Sequence, residues 1–125
     1  MQKYQLYIDG EYADAASGKW FDSYNPYSGE PWAQIAQGNA DDVDRAVRAA
    51  QRAFSAGPWP QLTASQRGML LHRLGDLVAR DAKKLAETEV RDNGKLIAEM
   101  QAQLNYLPQW YYYFGGLADK IQGAV

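Results

Sequence analysis

The stretch Leu107–Lys120, LPQWYYYFGGLADK, decides how the fold is interpreted, because five aromatic side chains follow one another from Trp110 to Phe114. A helix turns by about 100° per residue, so consecutive rings point in every direction around its axis. Full burial of five such rings would contribute on the order of 20–30 kcal/mol as an upper bound. The stretch therefore predicts a helix that must be covered by other parts of a protein or by lipid.

Length and composition limit the classes of function. The chain has 125 residues, which suit one ordinary domain, and its 46% apolar and 22% charged residues are typical of a soluble globular protein. Thirteen basic and 15 acidic residues give a net charge of −2, which provides no electrostatic surface for nucleic acid. Cysteine is absent, so disulfides, thiolate metal sites and cysteine nucleophiles are excluded within this sequence.

A membrane helix is the first alternative for the aromatic stretch. Residues Met100–Ala118 carry no charge, and their length would suffice for a span. The same residues include several polar or helix-breaking positions, namely Gln101, Gln103, Asn105, Pro108 and Gln109. These interruptions favour a helix buried in protein over one that spans a bilayer.

Strands and turns are predicted for the first part of the chain. Asp9-Gly10 lies between β-favouring residues and suits a tight hairpin turn. Asn25-Pro26 and Ser28-Gly29 are turn pairs. A short strand is expected around residues 33–35.

Helical periodicity begins near Asn39, a predicted N-cap that is followed by Asp41 and Asp42 at the positive end of the helix dipole. A second helix is expected after a capping box formed by Thr63 and Gln66. The apolar residues of the first helix, Val43, Ala46, Val47, Ala50 and Phe54, lie on one face. The second helix has a predicted buried stripe, which comprises Leu70, Leu71, Leu74, Leu77 and Val78.

Two further helical segments are predicted towards the end of the sequence. One runs from Asp81 to about Arg91 and ends at Asn93-Gly94 as a left-handed C-cap. The other runs from about Leu96 towards Ala118, with a bend at Pro108.

The residues by themselves predict no catalytic site. The sequence contains no G-x-G-x-x-G, P-loop, G-x-S-x-G or H-E-x-x-H motif. Its one histidine, His72, lies among leucines within a helix and has no ligand-spaced partner, so a structural or surface role is expected. The acid pairs Asp41/Asp42 and Glu87/Glu89 are expected to be solvated charges on helix faces.

Five segments carry a resemblance to a known family. In order they are YIDGEYADAASGKWFDSYNPYSGE, ADDVDRAVRAAQRAF, GPWPQLTASQRGMLLHRLGDLVARD, ETEVRDNGK and YYYFGGLADKIQG. Together they resemble the N-terminal part of the aldehyde dehydrogenase superfamily over residues 7–123. The resemblance implies an α+β fragment, with a strand and turn arm over residues 1–38 and three to four helices over residues 39–125. These helices would flank the cofactor-binding domain, while the Rossmann-like sheet and the catalytic domain are absent.

The resemblance also implies sites. Gln103 and Tyr106 are expected near the mouth of the substrate channel. The backbone carbonyls of Ser23 and Tyr24, together with Asp92, are expected to hold a monovalent or divalent cation. The alternative for Asp92 is that it only caps the end of its helix.

An intact enzyme of this family oxidises an aldehyde to a carboxylate with NAD or NADP, through a thiohemiacetal and a thioester on a cysteine. The catalytic cysteine, glutamate and asparagine of the family have no counterpart here, so we expect this chain alone to be inactive and to bind neither cofactor. The expected partners are the aldehyde, the remainder of the subunit and further copies in a cytoplasmic homo-oligomer, without nucleic acid or membrane. The alternative is a stand-alone helical interaction or self-association module derived from that family.

Overall fold

The structure is a computed structural model that describes residues 1–124, and it divides into two compact units, Met1–Pro60 and the residues from Gln61 onward. The first unit contains five strands and a helix: β1 (Gln2–Tyr4), β2 (Leu6–Ile8), β3 (Glu11–Ala13), β4 (Trp20–Tyr24), β5 (Pro31–Ala36) and α1 (Ala40–Ala56). After a 3₁₀ turn at Trp59–Gln61, the second unit contains α2 (Ala64–Asn93), α3 (Ile97–Tyr106) and α4 (Pro108–Leu117).

The strands of the first unit form a hairpin and a small mixed sheet. β2 and β3 pair antiparallel, and the predicted turn at Asp9-Gly10 joins them. Both turn residues have positive φ, 58° at Asp9 and 84° at Gly10, as a two-residue hairpin turn of the right twist requires. The other sheet has the order β1-β5-β4, in which β5 pairs parallel with β1 and antiparallel with β4. The strand predicted around residues 33–35 is confirmed as part of β5.

The start of α1 is fixed by a capping box. The Asn39 side chain accepts hydrogen bonds from the backbone N–H groups of Asp41 and Asp42, while the Asp42 carboxylate accepts from the Asn39 N–H at 3.0 Å. The same carboxylate accepts from the Ala16 N–H and from Arg45 Nη2. The N-cap prediction is confirmed, but the expectation of a solvated Asp42 is wrong, because this side chain is 3% exposed.

The second unit is built on one long helix. Thr63 and Gln66 form the predicted capping box, and Gly94, with φ of 75°, ends α2 in the left-handed conformation. The separate helical segment expected from Asp81 is instead a continuation of α2, because no residue near position 80 breaks the helix. The predicted bend at Pro108 is confirmed as the break between α3 and α4.

Helices α3 and α4 pack against α2 through small residues. The buried cluster contains Ala82 and Ala86 of α2 with Met100 and Leu104 of α3. Further along α2, Gly68 lies so close to the Gly115 carbonyl that a side chain at position 68 would collide with it. A side chain at Gly75 would place its Cβ 2.6 Å from Cε1 of Tyr112. Small residues on α2 therefore permit the close approach of α4.

The apolar face of α1 is exposed, and the stripe of α2 that the sequence predicts to be buried is buried only in part. Phe54 of α1 is 77% exposed, and in α2 Leu70 and Leu74 are 48% and 42% exposed. Leu71, Leu77 and Val78 are half-buried. The fully buried positions of α2 are instead its small residues Gly68, Gly75, Ala82 and Ala86.

The aromatic stretch behaves as its sequence predicts. Residues 110–114 lie in α4, and the rings of Trp110, Tyr113 and Phe114 are each more than half exposed. Tyr111 and Tyr112 are half-buried. The described residues therefore leave a substantial part of this apolar surface uncovered.

Candidate functional site

The two residues expected at the channel mouth lie on α3. Gln103 and Tyr106 are three positions apart, a spacing that places them on one face of a helix, and both are exposed. Tyr106 is the last residue of α3, next to the break before Pro108. The break gives the Tyr106 ring a position at the junction of two helices.

An aromatic groove occupies this junction. It has a volume of about 340 Å³ and is lined by Tyr106, Gln109, Trp110, Tyr112 and Tyr113. The rings of Tyr106 and Trp110 meet edge to face, with their centroids 6.0 Å apart. The lining residues carry aromatic rings, tyrosine hydroxyls and one amide but no formal charge, so the groove suits an uncharged molecule. Gln103 is not among its lining residues.

Sequence reasoning identified Tyr106 but missed Trp110 and Tyr113. The spacing of these three residues is i, i+4 and i+7, which places them on one face if the helix continues past the proline. That signal was present, but it was hidden by the neighbouring rings at positions 111, 112 and 114.

Tyr112 connects the groove to α2. Its phenol donates a hydrogen bond of 3.0 Å to Asp76. This hydrogen bond raises the pKa of Tyr112 above its ordinary value of 10.0, and desolvation raises it further. The phenol is therefore neutral at physiological pH and acts as a hydrogen-bond donor.

His72 of α2 contacts both the backbone and the ring of Tyr112. Its Nε2 lies 3.1 Å from the carbonyl oxygen of Tyr112, so Nε2 carries the proton and donates. The imidazole also meets the Tyr112 ring edge to face, with the centroids 5.6 Å apart. The nearby Ser65 hydroxyl donates to Asp119. This pairing of Ser65 and His72 with other groups is not the arrangement of a serine nucleophile with its base.

The three residues expected to hold a cation lie in different units. Ser23 and Tyr24 end β4, and the register against β5 shifts between them. Asp92 lies in the last turn of α2, whose end is capped by the Gly94 N–H donating to the Val90 carbonyl at 2.9 Å. Both roles expected for Asp92, as a cation ligand or only as a cap of the helix end, stay predictions. Two carbonyls and one carboxylate are oxygen ligands of the kind that hard cations prefer.

Residues 1–124 contain no group of three or more His, Asp or Glu side chains placed to hold a metal ion. None of the helices described is both long enough and apolar enough to cross a bilayer.

An arm of short strands, a first helix, and then a long helix that packs against two shorter ones define an α+β protein segment. Known proteins share both this order and its geometry. The family model described as "Aldehyde dehydrogenase family" matches residues 12–125. The chain therefore belongs to the aldehyde dehydrogenase family, as its sequence motifs predicted.

Individual relatives show how much of such a protein the chain represents. It is 49% identical over 124 residues to (Z)-2-((N-methylformamido)methylene)-5-hydroxybutyrolactone dehydrogenase of Acinetobacter baylyi, covering 99% of this chain and 25% of that protein. It is 46% identical over 121 residues to the mitochondrial aldehyde dehydrogenase of Rattus norvegicus, covering 95% and 23% respectively.

In two solved structures, too, the chain covers about a quarter of the matched protein. The NAD-dependent aldehyde dehydrogenase of Sinorhizobium meliloti matches with a TM-score of 0.93 and 35% identity, over 98% of this chain and 25% of that one. A betaine aldehyde dehydrogenase of Staphylococcus aureus, solved in complex with NAD+, matches with a TM-score of 0.88 and 35% identity, over 97% and 25%. The chain thus corresponds to the N-terminal part of the family fold and spans about a quarter of the length of these relatives.

Proposed function

We propose that this chain is the N-terminal fragment of an NAD(P)-dependent aldehyde dehydrogenase, and that the intact enzyme oxidises an aldehyde to a carboxylate. The observation that carries the proposal is the match of 98% of the chain to 25% of a solved NAD-dependent aldehyde dehydrogenase, at a TM-score of 0.93. A match of this extent and quality supports the same place in the same type of subunit.

The fragment alone is proposed to be inactive. It contains no cysteine, so it cannot supply the thiolate that attacks an aldehyde in this family. The cofactor, NAD or NADP, supplies hydride acceptance in the intact enzyme, and its binding is assigned to the remainder of the subunit. The contribution of this chain is then structural, because it covers other layers of the enzyme and forms one side of the substrate entrance.

The exposed apolar surfaces support this structural role. Large side chains of α1, α2 and α4 are exposed within residues 1–124, among them Phe54, Leu70 and Trp110. A soluble monomer rarely leaves so many large apolar side chains in water. In the proposed enzyme, helices of residues 39–125 flank the cofactor-binding domain and the remainder of the subunit covers these faces. The intact enzyme is further proposed to be a homo-oligomer of the cytoplasm.

Two local roles follow from this assignment. Gln103 and Tyr106 are proposed to line the substrate entrance, and the neutral aromatic groove beside Tyr106 supports a role in admitting an uncharged aldehyde. The carbonyls of Ser23 and Tyr24 with the Asp92 carboxylate are proposed to bind a monovalent or divalent cation. Their all-oxygen donor set supports such a cation over a soft metal.

The alternative is a stand-alone interaction or self-association module derived from the family. The same exposed apolar faces favour it, since two copies could cover each other. The two functions differ in the partner that these faces select: the remainder of an enzyme subunit or a second copy of this chain.

A complementation experiment separates the two functions. The chain is purified alone and also co-expressed with the part of the Acinetobacter baylyi relative that follows its matched quarter. The expected result is no NAD(P)H formation from aldehydes by the isolated chain, and a stable complex of the two chains that oxidises aldehyde. The second chain expressed without its partner is the control.

A matched pair of variants tests whether the exposed leucine face of α2, formed by Leu70 and Leu74, lies at the junction with the second chain. Leu70→Glu is expected to prevent assembly because it buries a carboxylate at the proposed junction. Arg73→Gln makes the same change of −1 in net charge at a neighbouring exposed position and is the control. Aldehyde oxidation by the isolated chain would refute its proposed inactivity. Self-association without capture of the second chain would favour the interaction module.

A further inference from the structure

The end of α2 presents a chemically reactive dipeptide, Asn93-Gly94, on an exposed turn. Gly94 adopts the left-handed conformation, with φ of 75° and ψ of 12°. Its N–H donates to the Val90 carbonyl at 2.9 Å, which is the bond that closes the helix. The proposed function assigns no role to this pair of residues.

An asparagine followed by glycine can rearrange without an enzyme. The backbone nitrogen of the glycine loses its proton and attacks the side-chain carbon Cγ of the asparagine. A new C–N bond forms, the bond from Cγ to the side-chain nitrogen breaks, and ammonia leaves a five-membered cyclic imide. Water then opens this ring at either carbonyl and gives aspartate or isoaspartate. Glycine favours the attack because it has no side chain beside the nucleophilic nitrogen, and no oxidant or reductant is needed.

We infer that Asn93 is a site of spontaneous deamidation, and that the hydrogen-bonded end of α2 restrains the reaction in the folded chain. The attacking nitrogen is the one whose N–H is committed to Val90. The leaving nitrogen, Nδ2 of Asn93, donates to Glu89 Oε1 at 3.2 Å. Both groups must leave these partners before the ring can close.

One contact at this turn acts in the opposite direction. The Lys95 N–H donates to Oδ1 of Asn93 at 3.0 Å, which polarises Cγ and favours attack. The contacts that restrain ring closure nevertheless outweigh this polarisation. Asn93 is held in the helical conformation as the last residue of α2, and the Gly94 nitrogen is hydrogen-bonded to Val90. Ring closure therefore requires the last turn to open, and helix ends open at low free-energy cost.

An ion pair strengthens the closed turn. Lys95 Nζ lies 2.9 Å from the same Glu89 oxygen that accepts from Asn93. The hydrogen bond from Lys95 lowers the pKa of Glu89, so this carboxylate is ionised at neutral pH. Glu89 thus holds both the side chain of Asn93 and the residue that follows Gly94.

The product would destabilise the turn in which it forms. A carboxylate at position 93 replaces the donor that faces Glu89 with a second negative group. It also adds negative charge at the C-terminal, negative end of the α2 dipole. Isoaspartate further inserts a carbon atom into the backbone at the helix end. The modified chain is therefore expected to open more readily at Gly94 than the original chain.

The test compares the purified chain under native conditions with the same chain unfolded in urea, at mildly alkaline pH, followed by peptide mass spectrometry. In urea, Asn93 is expected to react fastest. Asn39 and Asn105, which precede Ala40 and Tyr106, are slower internal controls. In the native chain Asn93 is expected to react at least about tenfold more slowly, which corresponds to an opening free energy of about 1.4 kcal/mol.

A variant tests the role of the ion pair. Lys95→Met removes the ammonium but keeps the backbone N–H, and it is expected to raise the native rate at Asn93 while leaving the rate in urea unchanged. Lys83→Met, which removes the 4.0 Å contact with Glu87 on the same helix, is the matched control. Equal rates in native and unfolded chains would overturn the restraint. Absence of selective reaction at Asn93 in urea would overturn the site itself.

Discussion

Tyr112 of α4 donates its phenolic hydrogen to Asp76 of α2 across 3.0 Å, and this contact joins the aromatic stretch to the long helix. The Tyr112 ring lies over Gly75, where a Cβ would be 2.6 Å from Cε1. One turn earlier on α2, His72 donates to the Tyr112 carbonyl. One residue of α4 is therefore held at its ring, its hydroxyl and its backbone by three neighbouring positions of α2.

The Tyr112–Asp76 hydrogen bond should be visible as a dependence of stability on alkaline pH. The bond raises the folded-state pKa of Tyr112 above 10.0. The stabilisation is therefore complete below pH 10 and is lost as the pH rises through the folded-state pKa. Tyr112→Phe cannot ionise, so its free energy of unfolding should fall less steeply than that of the original chain in urea titrations above pH 10. Tyr113→Phe, at a 60% exposed ring, is the control. Parallel profiles for all three proteins would contradict the prediction.

Gly75→Ala should destabilise the second unit by about 1–3 kcal/mol, the usual effect of overpacking. The added methyl group would collide with Cε1 and Cδ1 of Tyr112, which would lie 2.6 and 3.0 Å away. In a Tyr112→Ala background the collision is removed, and alanine should then stabilise the helix by up to about 1 kcal/mol relative to glycine. Urea denaturation of the original chain, the two single variants and the double variant measures the coupling energy between positions 75 and 112. The same effect in both backgrounds would exclude the proposed collision.

Two adjacent glycines of α4 should respond oppositely to the same change. A Cβ at Gly115 would collide with the His72 ring and approach the Gly68 carbonyl, whereas a Cβ at Gly116 would have no neighbour within 4 Å. Gly115→Ala is expected to lower the free energy of unfolding by about 1–3 kcal/mol. Gly116→Ala is expected to raise it by about 0.5–1 kcal/mol. Thermal unfolding followed by circular dichroism compares them. Destabilisation of equal size at both positions would show that α4 does not pack on α2 through Gly115.

Local signals in the sequence predicted the hairpin turn and the helix caps. The Asp9-Gly10 turn, the Asn39 and Thr63 caps and the left-handed Gly94 each depend on a few neighbouring residues, so the sequence alone contains the information. The break at Pro108 belongs to the same class, since proline lacks the N–H that a continuing helix needs.

Packing was predicted less well, because periodicity shows which face of a helix is apolar but not which layer covers it. The leucines at positions 70 and 74 are the clearest apolar signal of α2, yet both are exposed, while α4 lies against α2 at Gly68, His72 and Gly75. Asp42 was misjudged for a related reason. Its burial depends on the Ala16 N–H, a donor 26 positions earlier that no local pattern identifies.

The candidate site shows the same limit. Tyr106 was identified through a family resemblance, and the structure adds Trp110 and Tyr113 to one aromatic groove. In the sequence, the neighbouring rings at positions 111, 112 and 114 hide the i, i+4, i+7 spacing. In the structure, the contact of Tyr112 with α2 distinguishes the rings that turn outward.

Asp42 should make the first unit sensitive to acid. The backbone hydrogen bond from Asn39 is the largest cause that lowers the Asp42 pKa below its ordinary value of 3.8, and the Ala16 N–H and Arg45 add to it against the opposing effect of desolvation. Its stabilisation is therefore present above the unfolded-state pKa and lost as the pH falls through the lower folded-state value. Asp42→Asn should lower the melting temperature at pH 7 and flatten the decline of stability below pH 4. Asp41→Asn, at the exposed neighbouring position, is the control, and an unchanged acid profile in Asp42→Asn would contradict this role.

The exposed leucine face of α2 should control association of the isolated chain without stabilising its fold. Leu70 and Leu74 are 48% and 42% exposed, so their replacement removes few internal contacts. Glutamine has nearly the helix propensity of leucine, and the double variant Leu70→Gln/Leu74→Gln should change stability by no more than about 0.5 kcal/mol per site. Light scattering should show smaller oligomers, and binding of a hydrophobic dye should decrease. Leu104→Gln, at a position 8% exposed, is the matched control and should lose more than about 2 kcal/mol, because it removes buried apolar contacts and buries an amide. If the double variant instead unfolds like Leu104→Gln, the leucine face is part of the internal core of this chain and is not available to a partner.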